Sequence, residues 1–183
     1  MNKKTADKIT KDITKDTPAS VLIELAPECR CSQCANGCKY GSGYLFSEEA
    51  EKIAEHLKLG FELFKEKYLE GIEIMNTKAF RFKLMRKNSL PYGQCVFFKD
   101  NLCSINEHKP LHCKISTGCK SHGENASIWF MLNNFVNPND PESIRQYSQY
   151  MKTGGKTISG GELKELIPDD EKLRKILNYE VLK

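Results

Sequence analysis

The chain has 183 residues, of which 39% are hydrophobic and 28% are charged. This composition fits a globular protein rather than a disordered or membrane-spanning chain, and the length suits one domain with extensions. No apolar run approaches the roughly 18 residues that cross a bilayer, and the net charge of +4 is too small to indicate nucleic-acid binding. The first twenty residues lack the apolar stretch of a secretory signal. We therefore expect a cytoplasmic protein, which could also lie at the periphery of a membrane complex.

Residues 1–18 form a polar N-terminal segment rich in lysine and aspartate. Ile9 and Ile13 lie one helical turn apart, but an isolated helix this short is marginal in water. We expect a solvated tail here, with a short helix as the alternative.

The cysteines occupy two stretches of chain. Residues 29–38 read C-x-C-x2-C-x3-C, and a second stretch runs from residue 95 to residue 119. The eight cysteines are Cys29, Cys31, Cys34, Cys38, Cys95, Cys103, Cys113 and Cys119. Gly37, Gly41 and Gly43 give the first stretch flexibility, so we expect it to lie on a loop. Either the two stretches close one metal centre together, or the chain has two four-cysteine sites.

Apolar periodicity predicts two helices between the cysteine stretches. Ser47 is the predicted N-cap of the first helix, and the two glutamates that follow it suit the helix dipole. Gly60 ends or bends this helix, and a second helical face continues to Gly71. The residues expected to form the apolar faces and the core are Ala50, Ile53, Ala54, Leu57, Phe61, Phe64, Tyr68 and Leu69.

The apolar period changes to two at Ala79, which predicts a strand. A turn at residues 88–93 and a returning strand at 95–98 would complete a small antiparallel ribbon. A tight turn at residues 99–101 would then bring Cys95 and Cys103 together. A run of positive charges without an acid predicts a solvated strand face or, alternatively, a docking surface for an acidic partner. The residues of this run are Lys78, Arg81, Lys83, Arg86 and Lys87.

Helical periodicity returns toward the C-terminus. Residues 126–136 form one predicted helix, Asp140 and Pro141 open a second, and a third begins near Asp169. The sequence therefore predicts an α+β, mainly helical fold. It consists of a helical extension at 1–28, a small cysteine-rich metal-binding domain with a short antiparallel ribbon at 29–122, and a helical extension at 123–183.

The chemistry of the cysteines points to a metal centre. Cytosolic thiols are kept reduced, so a cysteine framework there binds metal more often than it forms disulfides. Thiolates are soft ligands that favour iron-sulfur clusters or zinc, at about four per site. Zinc ribbons usually show two closely spaced pairs, whereas only Cys31 and Cys34 form a CxxC pair here, which favours an iron-sulfur cluster. His112, beside Cys113, is an alternative ligand or supporting group, although a lone histidine is more often neither.

Three segments within residues 29–119 carry a family resemblance. They are the first cysteine group, the stretch that begins Gly43-Tyr44-Leu45-Phe46-Ser47-Glu48-Glu49 and leads to Leu69, and the run Cys95-Val96-Phe97-Phe98, Cys103-Ser104-Ile105 and Lys109-Pro110-Leu111-His112-Cys113. This pattern resembles the YkgJ-like cysteine-cluster family, described as zinc- or iron-chelating domains and named for a CxxxCxxCC signature. The first group lacks the terminal Cys-Cys pair, Lys109 stands where arginine is usual, and Cys119 is additional.

The resemblance implies a metal centre and a set of ligands for it. The ligands that match the family pattern are Cys34, Cys38, Cys95, Cys103 and Cys113. The further candidates are Cys29, Cys31 and Cys119.

The leading functional hypothesis is a non-enzymatic iron-sulfur protein with one 4Fe-4S cluster, or two. It would dock through its extensions onto a larger oxygen-sensitive redox or methyl-transfer assembly, and would pass electrons or respond to oxygen. The alternatives are a zinc-stabilised protein-interaction module and a metal-dependent enzyme. His56, His108 and His122 are not arranged with a serine or cysteine as a base and its nucleophile would be, so no catalytic residue is assigned.

Overall fold

A computed structural model describes residues 13–26, 29 and 31–182 of the chain. Most of the predicted N-terminal tail or helix lies outside these residues. In the described part, Ile13 is buried, and the Lys15 N–H donates to the Ser159 carbonyl at 2.8 Å. The Asn133 side chain also donates to the Lys15 carbonyl at 2.9 Å. The expectation of a solvated tail therefore does not hold at Ile13 and Lys15, because this segment is covered and hydrogen-bonded.

The chain divides into two compact units. The cysteine unit comprises the described residues of Ala26–Ile72 and Lys78–Gly123, and it contains every cysteine. The C-terminal unit comprises the described residues of Met1–Leu25, Glu73–Thr77 and Glu124–Lys183. The predicted α+β, mainly helical fold class is confirmed. None of the described helices has both the length and the apolar character that crossing a bilayer requires.

Short helices make up most of the regular structure. The helices are α1 Ala19–Leu25, α2 Ser32–Tyr40, α3 Ser47–His56, α4 Phe61–Tyr68, α5 Leu111–Ile115, α6 Gly123–Asn134, α7 Pro141–Lys152, α8 Leu163–Leu166 and α9 Asp170–Leu177, with a 3-10 turn at Asn106–His108. The strands are β1 Tyr44–Leu45, β2 Leu69–Ile74, β3 Thr77–Phe82, β4 Leu84–Met85, β5 Gln94–Cys95, β6 Phe98–Lys99 and β7 Leu102–Cys103.

The strands form three small antiparallel arrangements. One sheet has the order β1-β3-β2, and the two others are the pairs β4–β5 and β6–β7. Leu84 lies opposite Cys95, and Phe98 lies opposite Cys103. The turn between β6 and β7 uses Asp100 and Asn101, with φ angles of 49° and 61°. Two consecutive left-handed residues give the turn that matches strand twist in a two-residue hairpin, so the predicted turn before Cys103 is confirmed. The returning strand predicted at 95–98 is instead divided between β5 and β6, which belong to different strand pairs.

The core of the cysteine unit is built from α3, α4 and the strands. The helical faces predicted around Ile53 and Phe64 are confirmed as buried. Phe97 packs edge-on against Phe82 and stacks on Tyr68, each with ring centroids 4.9 Å apart. The buried members of this core are Leu45, Ala50, Ile53, Ala54, Phe64, Leu69, Phe82, Cys95, Phe97, Phe98 and Ile105.

The C-terminal unit has buried side chains of its own. Ile144 and Tyr147 on α7 and Ile176 on α9 are almost completely enclosed. Tyr147 Oη lies within hydrogen-bonding distance of the Gly161 carbonyl, at 2.8 Å, which satisfies its buried hydroxyl. Arg145 donates to the carbonyls of Ile176 and Val181 and so binds the end of α9. The helices predicted at 126–136, at 140–151 and from residue 169 are therefore confirmed in existence and type.

Three local predictions are wrong. The first cysteine stretch does not lie on a loop, because α2 runs from Ser32 to Tyr40 through both Cys34 and Cys38. Ser47 is the first residue of α3 and not its cap, because the Phe46 N–H is paired with the Glu49 carboxylate at 3.5 Å. The second predicted helix ends at Tyr68, and β2 starts at the next residue because the β1-β3-β2 sheet recruits it.

The predicted basic run has an acidic neighbour in space. Glu70 forms an ion pair with Arg81 at 2.6 Å and with Arg86 at 2.9 Å. Arg86 donates both terminal nitrogens to this carboxylate. Two of the five positive charges are therefore partly neutralised.

Candidate metal centre

Four cysteines form a compact group at the surface of the cysteine unit. The sulfur atoms of all four lie within 4.8 Å of one another. The Cys119 Sγ is 3.4 Å from the Cys29 Sγ and 3.3 Å from the Cys34 Sγ. Each side chain is half-buried. The compact group is Cys29, Cys31, Cys34 and Cys119.

The start of α2 positions the N-terminal thiols of the compact group. Cys31 is the N-cap residue, and its sulfur accepts a hydrogen bond from the Cys34 N–H at 3.4 Å. A thiol thus does here what a serine or aspartate oxygen commonly does at a helix N-terminus. This arrangement directs the Cys31 and Cys34 side chains to the same end of the helix.

A close backbone approach brings Cys119 to this helix end. Gly118 lies so near α2 that a Cβ atom added to it would be 2.9 Å from the Gln33 carbonyl oxygen. Any side chain at position 118 would push the two segments apart. The pair Gly118-Cys119 therefore docks as a unit.

Hydrogen bonds within the compact group change the acidity of its thiols. The Cys34 N–H and then the Cys29 thiol donate to the Cys31 sulfur and lower the Cys31 pKa to about 6. Hydrogen bonds with Cys34 and Cys29 raise the pKa of Cys119 to about 12. Without a cation, Cys31 therefore ionises more readily than Cys34 and Cys119. A bound cation would replace the thiol protons.

The other four cysteines form a core group. Cys95 is a core residue with 5% exposure, and the other three pack against the same core. Cys38 lies in the second turn of α2 and Cys113 in α5. Cys95 and Cys103 come from β5 and β7. The core group, with one thiol from each of four segments, is Cys38, Cys95, Cys103 and Cys113.

Burial keeps the thiols of the core group protonated when no metal is bound. Burial raises the pKa of Cys38, Cys103 and Cys113, and it raises that of Cys95 to about 12. The charge of a neighbouring thiolate adds to this effect at Cys95 and Cys113. The four side chains therefore lie near enough to repel one another once ionised.

Backbone donors and one lysine favour the ionised form. The N–H groups of Phe97 and Phe98 lower the Cys95 pKa, opposing its burial. The Gly43 N–H acts in the same direction on Cys113. Lys109 lowers the pKa of Cys38 and Cys103 through its charge. These groups would stabilise the negative charge of metal-bound thiolates.

The two groups differ in spacing. In the compact group the thiols hydrogen-bond one another, whereas the core thiols raise one another's pKa through their charges. Among the residues that the structure describes, the compact group alone has three or more ligand atoms within 4.8 Å of each other. Both donor sets consist of sulfur, which suits zinc or iron-sulfur chemistry and not magnesium or calcium.

Every cysteine named as a candidate from the sequence lies in one of the two groups. The five that match the family pattern do not come together, because Cys34 lies in the compact group and the other four form the core group. His112 Nδ1 accepts a hydrogen bond from the Tyr44 N–H at 3.0 Å, and the two rings stack. Burial lowers the His112 pKa to about 4. That nitrogen therefore ties β1 to α5 and offers no lone pair to a metal.

Two glycines shape the groups through close backbone approaches that were not predicted, although Gly43 was expected to give flexibility. Gly118 makes the approach to Gln33, and at Gly43 an added Cβ would overlap the Cys113 sulfur. The pair Gly118-Cys119 was a usable signal, since a glycine beside a ligand often marks a close backbone approach. For Gly43 there was no local signal, because Cys113 lies seventy residues later in the chain.

Comparison with known proteins agrees with this chemistry. A search of solved structures finds none that matches the chain. The model of the family CxxCxxCC, described as a zinc- or iron-chelating domain, matches residues 30–149, which is well over half of the chain and includes seven of its eight cysteines. The chain therefore belongs to the CxxCxxCC family of zinc- or iron-chelating domains.

Proposed function

We propose that the chain is an iron-sulfur protein that carries a 4Fe-4S cluster on the core group and acts as a redox or oxygen-responsive accessory subunit. The supporting observation is the convergence of four thiols on one core at a spacing wider than in the compact group. A four-iron cluster takes one thiolate per iron. Its cube of metal and sulfide is larger than a single ion, so its cysteine sulfurs must stand farther apart.

The surroundings of the core group suit such a cluster. Cys95 belongs to the same buried core as Phe64, Phe82 and Phe97, which would limit the access of water. Backbone N–H groups point at the sulfurs of Cys95 and Cys113. Burial and N–H donors of this kind set the reduction potential of iron-sulfur proteins. When bound, the cluster would supply one-electron transfer.

The origin of the four ligands supports a response to oxygen. The ligands come from α2, β5, β7 and α5, which are joined through the core group. The core group would therefore act as a cross-link between segments distant in sequence. Loss of the cluster to oxygen would leave four protonated thiols and no cross-link. The conformation of these segments would then report the oxidation state.

Exposed apolar side chains near the core group support docking to a partner. Tyr40 follows Cys38 by two residues and contacts Tyr92 edge-on, with centroids 6.1 Å apart. Tyr40 is 61% exposed and Tyr92 47%. Met85 is also exposed. In the sequence, the basic residues Lys83 and Arg86 flank Leu84 and Met85. Aromatic side chains beside positive charge suit a protein partner with an acidic, apolar surface, which we place in a larger redox or methyl-transfer assembly.

The test is metal analysis of protein purified without oxygen. We expect about four iron and four acid-labile sulfide per chain, with a brown colour that bleaches in air. Cys103→Ser should lose the iron, sulfide and colour. Cys31→Ser is the matched control, because it removes a thiol of the compact group and should keep them.

A zinc-stabilised interaction module is the second candidate, and the compact group favours it because its sulfurs have the spacing of ligands to a single ion. In that case the metal would replace part of the core and perform no redox chemistry. A colourless protein with zinc in both groups and no sulfide would contradict the iron-sulfur proposal and support this candidate.

A further inference from the structure

The compact group has the dimensions of a mononuclear tetrahedral site. Zinc-thiolate bonds are about 2.3 Å long, so tetrahedral sulfurs stand roughly 3.8 Å apart. The Cys119 sulfur lies 3.4 Å from the Cys29 sulfur and 3.3 Å from the Cys34 sulfur, slightly closer than in a tetrahedral site, so a zinc ion would need only a small separation of the thiols. All four sulfurs stay within 4.8 Å.

The backbone resists expansion of this group to the size of a cluster. Cys31 is tied to the first turn of α2 by the Cys34 N–H. Cys119 follows Gly118, which is seated against the Gln33 carbonyl. Spreading the sulfurs around four irons would break the helix cap or unseat this glycine.

The compact group and the core group are neighbours but need no ligand from one another. Cys34 and Cys38 lie four residues apart on α2, which separates them by about 6 Å along the helix axis. Each group already contains four thiols. A site with four thiolates has no open coordination position, which is the arrangement of structural zinc.

We infer that Cys29, Cys31, Cys34 and Cys119 form a separate site for one Zn²⁺, so that the chain holds two metal centres of different kinds. The zinc would close the N-terminal end of α2 onto the segment at Cys119. Because zinc has no redox chemistry, this closure would persist when the other centre is oxidised. The inference rests on the proposed function only for the occupant of the core group.

The first experiment is zinc K-edge X-ray absorption on the unmodified protein together with metal analysis. We expect about one zinc per chain, surrounded by four sulfurs at about 2.3 Å. Zinc bound by nitrogen or oxygen, or no zinc at all, would overturn the inference. This measurement does not depend on any variant folding.

Variants then assign the zinc to its ligands. Cys119→Ser should lose the zinc and keep the iron and sulfide. Cys103→Ser should lose the iron and sulfide and keep the zinc. Two zinc ions per chain, of which Cys119→Ser removes one, would uphold the zinc site and reject the iron-sulfur proposal. Iron in both groups would reject the zinc site and leave the iron-sulfur proposal standing. A disulfide from Cys119 to Cys29 or Cys34 in the anaerobic protein, detected by mass spectrometry, would also reject the zinc site.

Discussion

Gly43 occupies a position where a single methyl group would reach a thiol of the core group. A Cβ atom there would overlap the Cys113 sulfur, and it would also lie 3.3 Å from His112 Nδ1. We expect Gly43→Ala to displace the thiol and to destabilise the protein by about 1–3 kcal/mol, the usual cost of overpacking a core. The iron content should fall below half of the normal value. Metal analysis and urea unfolding measure the two effects.

Gly37→Ala is the control for this substitution. Gly37 lies within α2 beside Cys38, and an added Cβ there has no atom within 4 Å. Alanine is a better helix former than glycine, so this variant should keep its iron and gain about 0.5–1 kcal/mol. Equal iron content in the two variants would show that Gly43 is not needed for space beside Cys113.

Glu70 carries a charge whose contribution to stability depends on pH. Burial raises its pKa, but the hydrogen bond from Arg86 and the charges of Arg81 and Arg86 outweigh this, so that the pKa is lowered overall. A lowered folded pKa stabilises the protein above the unfolded pKa of about 4.5 and ceases to do so as the pH falls through the folded value. We expect Glu70→Gln to cost up to about 1 kcal/mol at pH 7, because the pair is partly exposed.

The difference in melting temperature between wild type and Glu70→Gln measures this effect. It should stay constant from pH 7 to about 5.5 and shrink below about 4.5. Glu73→Gln, on the same strand, is the control, because Glu73 has no ion pair with any residue in the described ranges. A difference that grows on acidification would contradict the assigned ion pairs.

At the scale of the element, α9 depends on the N-cap residue that precedes it, Asp169. The Asp169 carboxylate accepts a hydrogen bond from the Lys172 N–H at 2.9 Å and caps the helix that buries Leu173 and Ile176. Loss of such a cap costs about 1 kcal/mol, so Asp169→Ala should lower the unfolding free energy by this amount. Asp169→Asn retains a cap and should behave nearly as wild type in thermal unfolding. Equal losses in both variants would assign the effect to charge and not to capping.

An element could be predicted from the sequence when its own residue pattern supplies the interactions that stabilise it. The helices with a clear apolar stripe, such as those that bury Ile53 and Ile176, could be predicted because the stripe itself drives their packing. The hairpin turn at Asp100-Asn101 could be predicted because these residue types tolerate a positive φ. Helix α2 could not be predicted, because it contains Gly37, has no buried residue and is capped by a thiol. Strand β2 could not, because the sheet overrides helical periodicity at Leu69.

At the scale of the whole molecule, the candidate ligands could be identified from the sequence. Their division into the compact group and the core group could not. Clustering along the chain left two possibilities open, one centre closed by both cysteine stretches or one four-cysteine site in each stretch. The structure instead separates Cys34 from Cys38 by one turn of α2 and joins Cys34 to Cys119, 85 residues away. A contact between residues so far apart depends on the complete fold and leaves no local pattern in the sequence.

Removal of the metals should affect the two compact units differently. The core group joins α2, α5, β5 and β7 within the cysteine unit, whereas the C-terminal unit has buried side chains of its own around Tyr147. After treatment with an oxidant and a chelator, we expect amide hydrogen exchange in β5, β7 and α5 to accelerate by about tenfold or more. Exchange in α7 and α9 should change by less than about twofold. Uniform acceleration would show that the metals hold both units together.

The distance between Cys34 and Cys119 along the chain also sets an order of events during synthesis. Cys29, Cys31 and Cys34 emerge from the ribosome together, but Cys119 follows Cys34 by 85 residues. At roughly 5–20 residues per second, this interval lasts about 4–17 seconds. During it, Cys38 is the thiol nearest to the incomplete trio and could complete the wrong set. If the two groups bind different metals as proposed, the early thiols would have to stay reduced and unloaded until Cys119 has emerged.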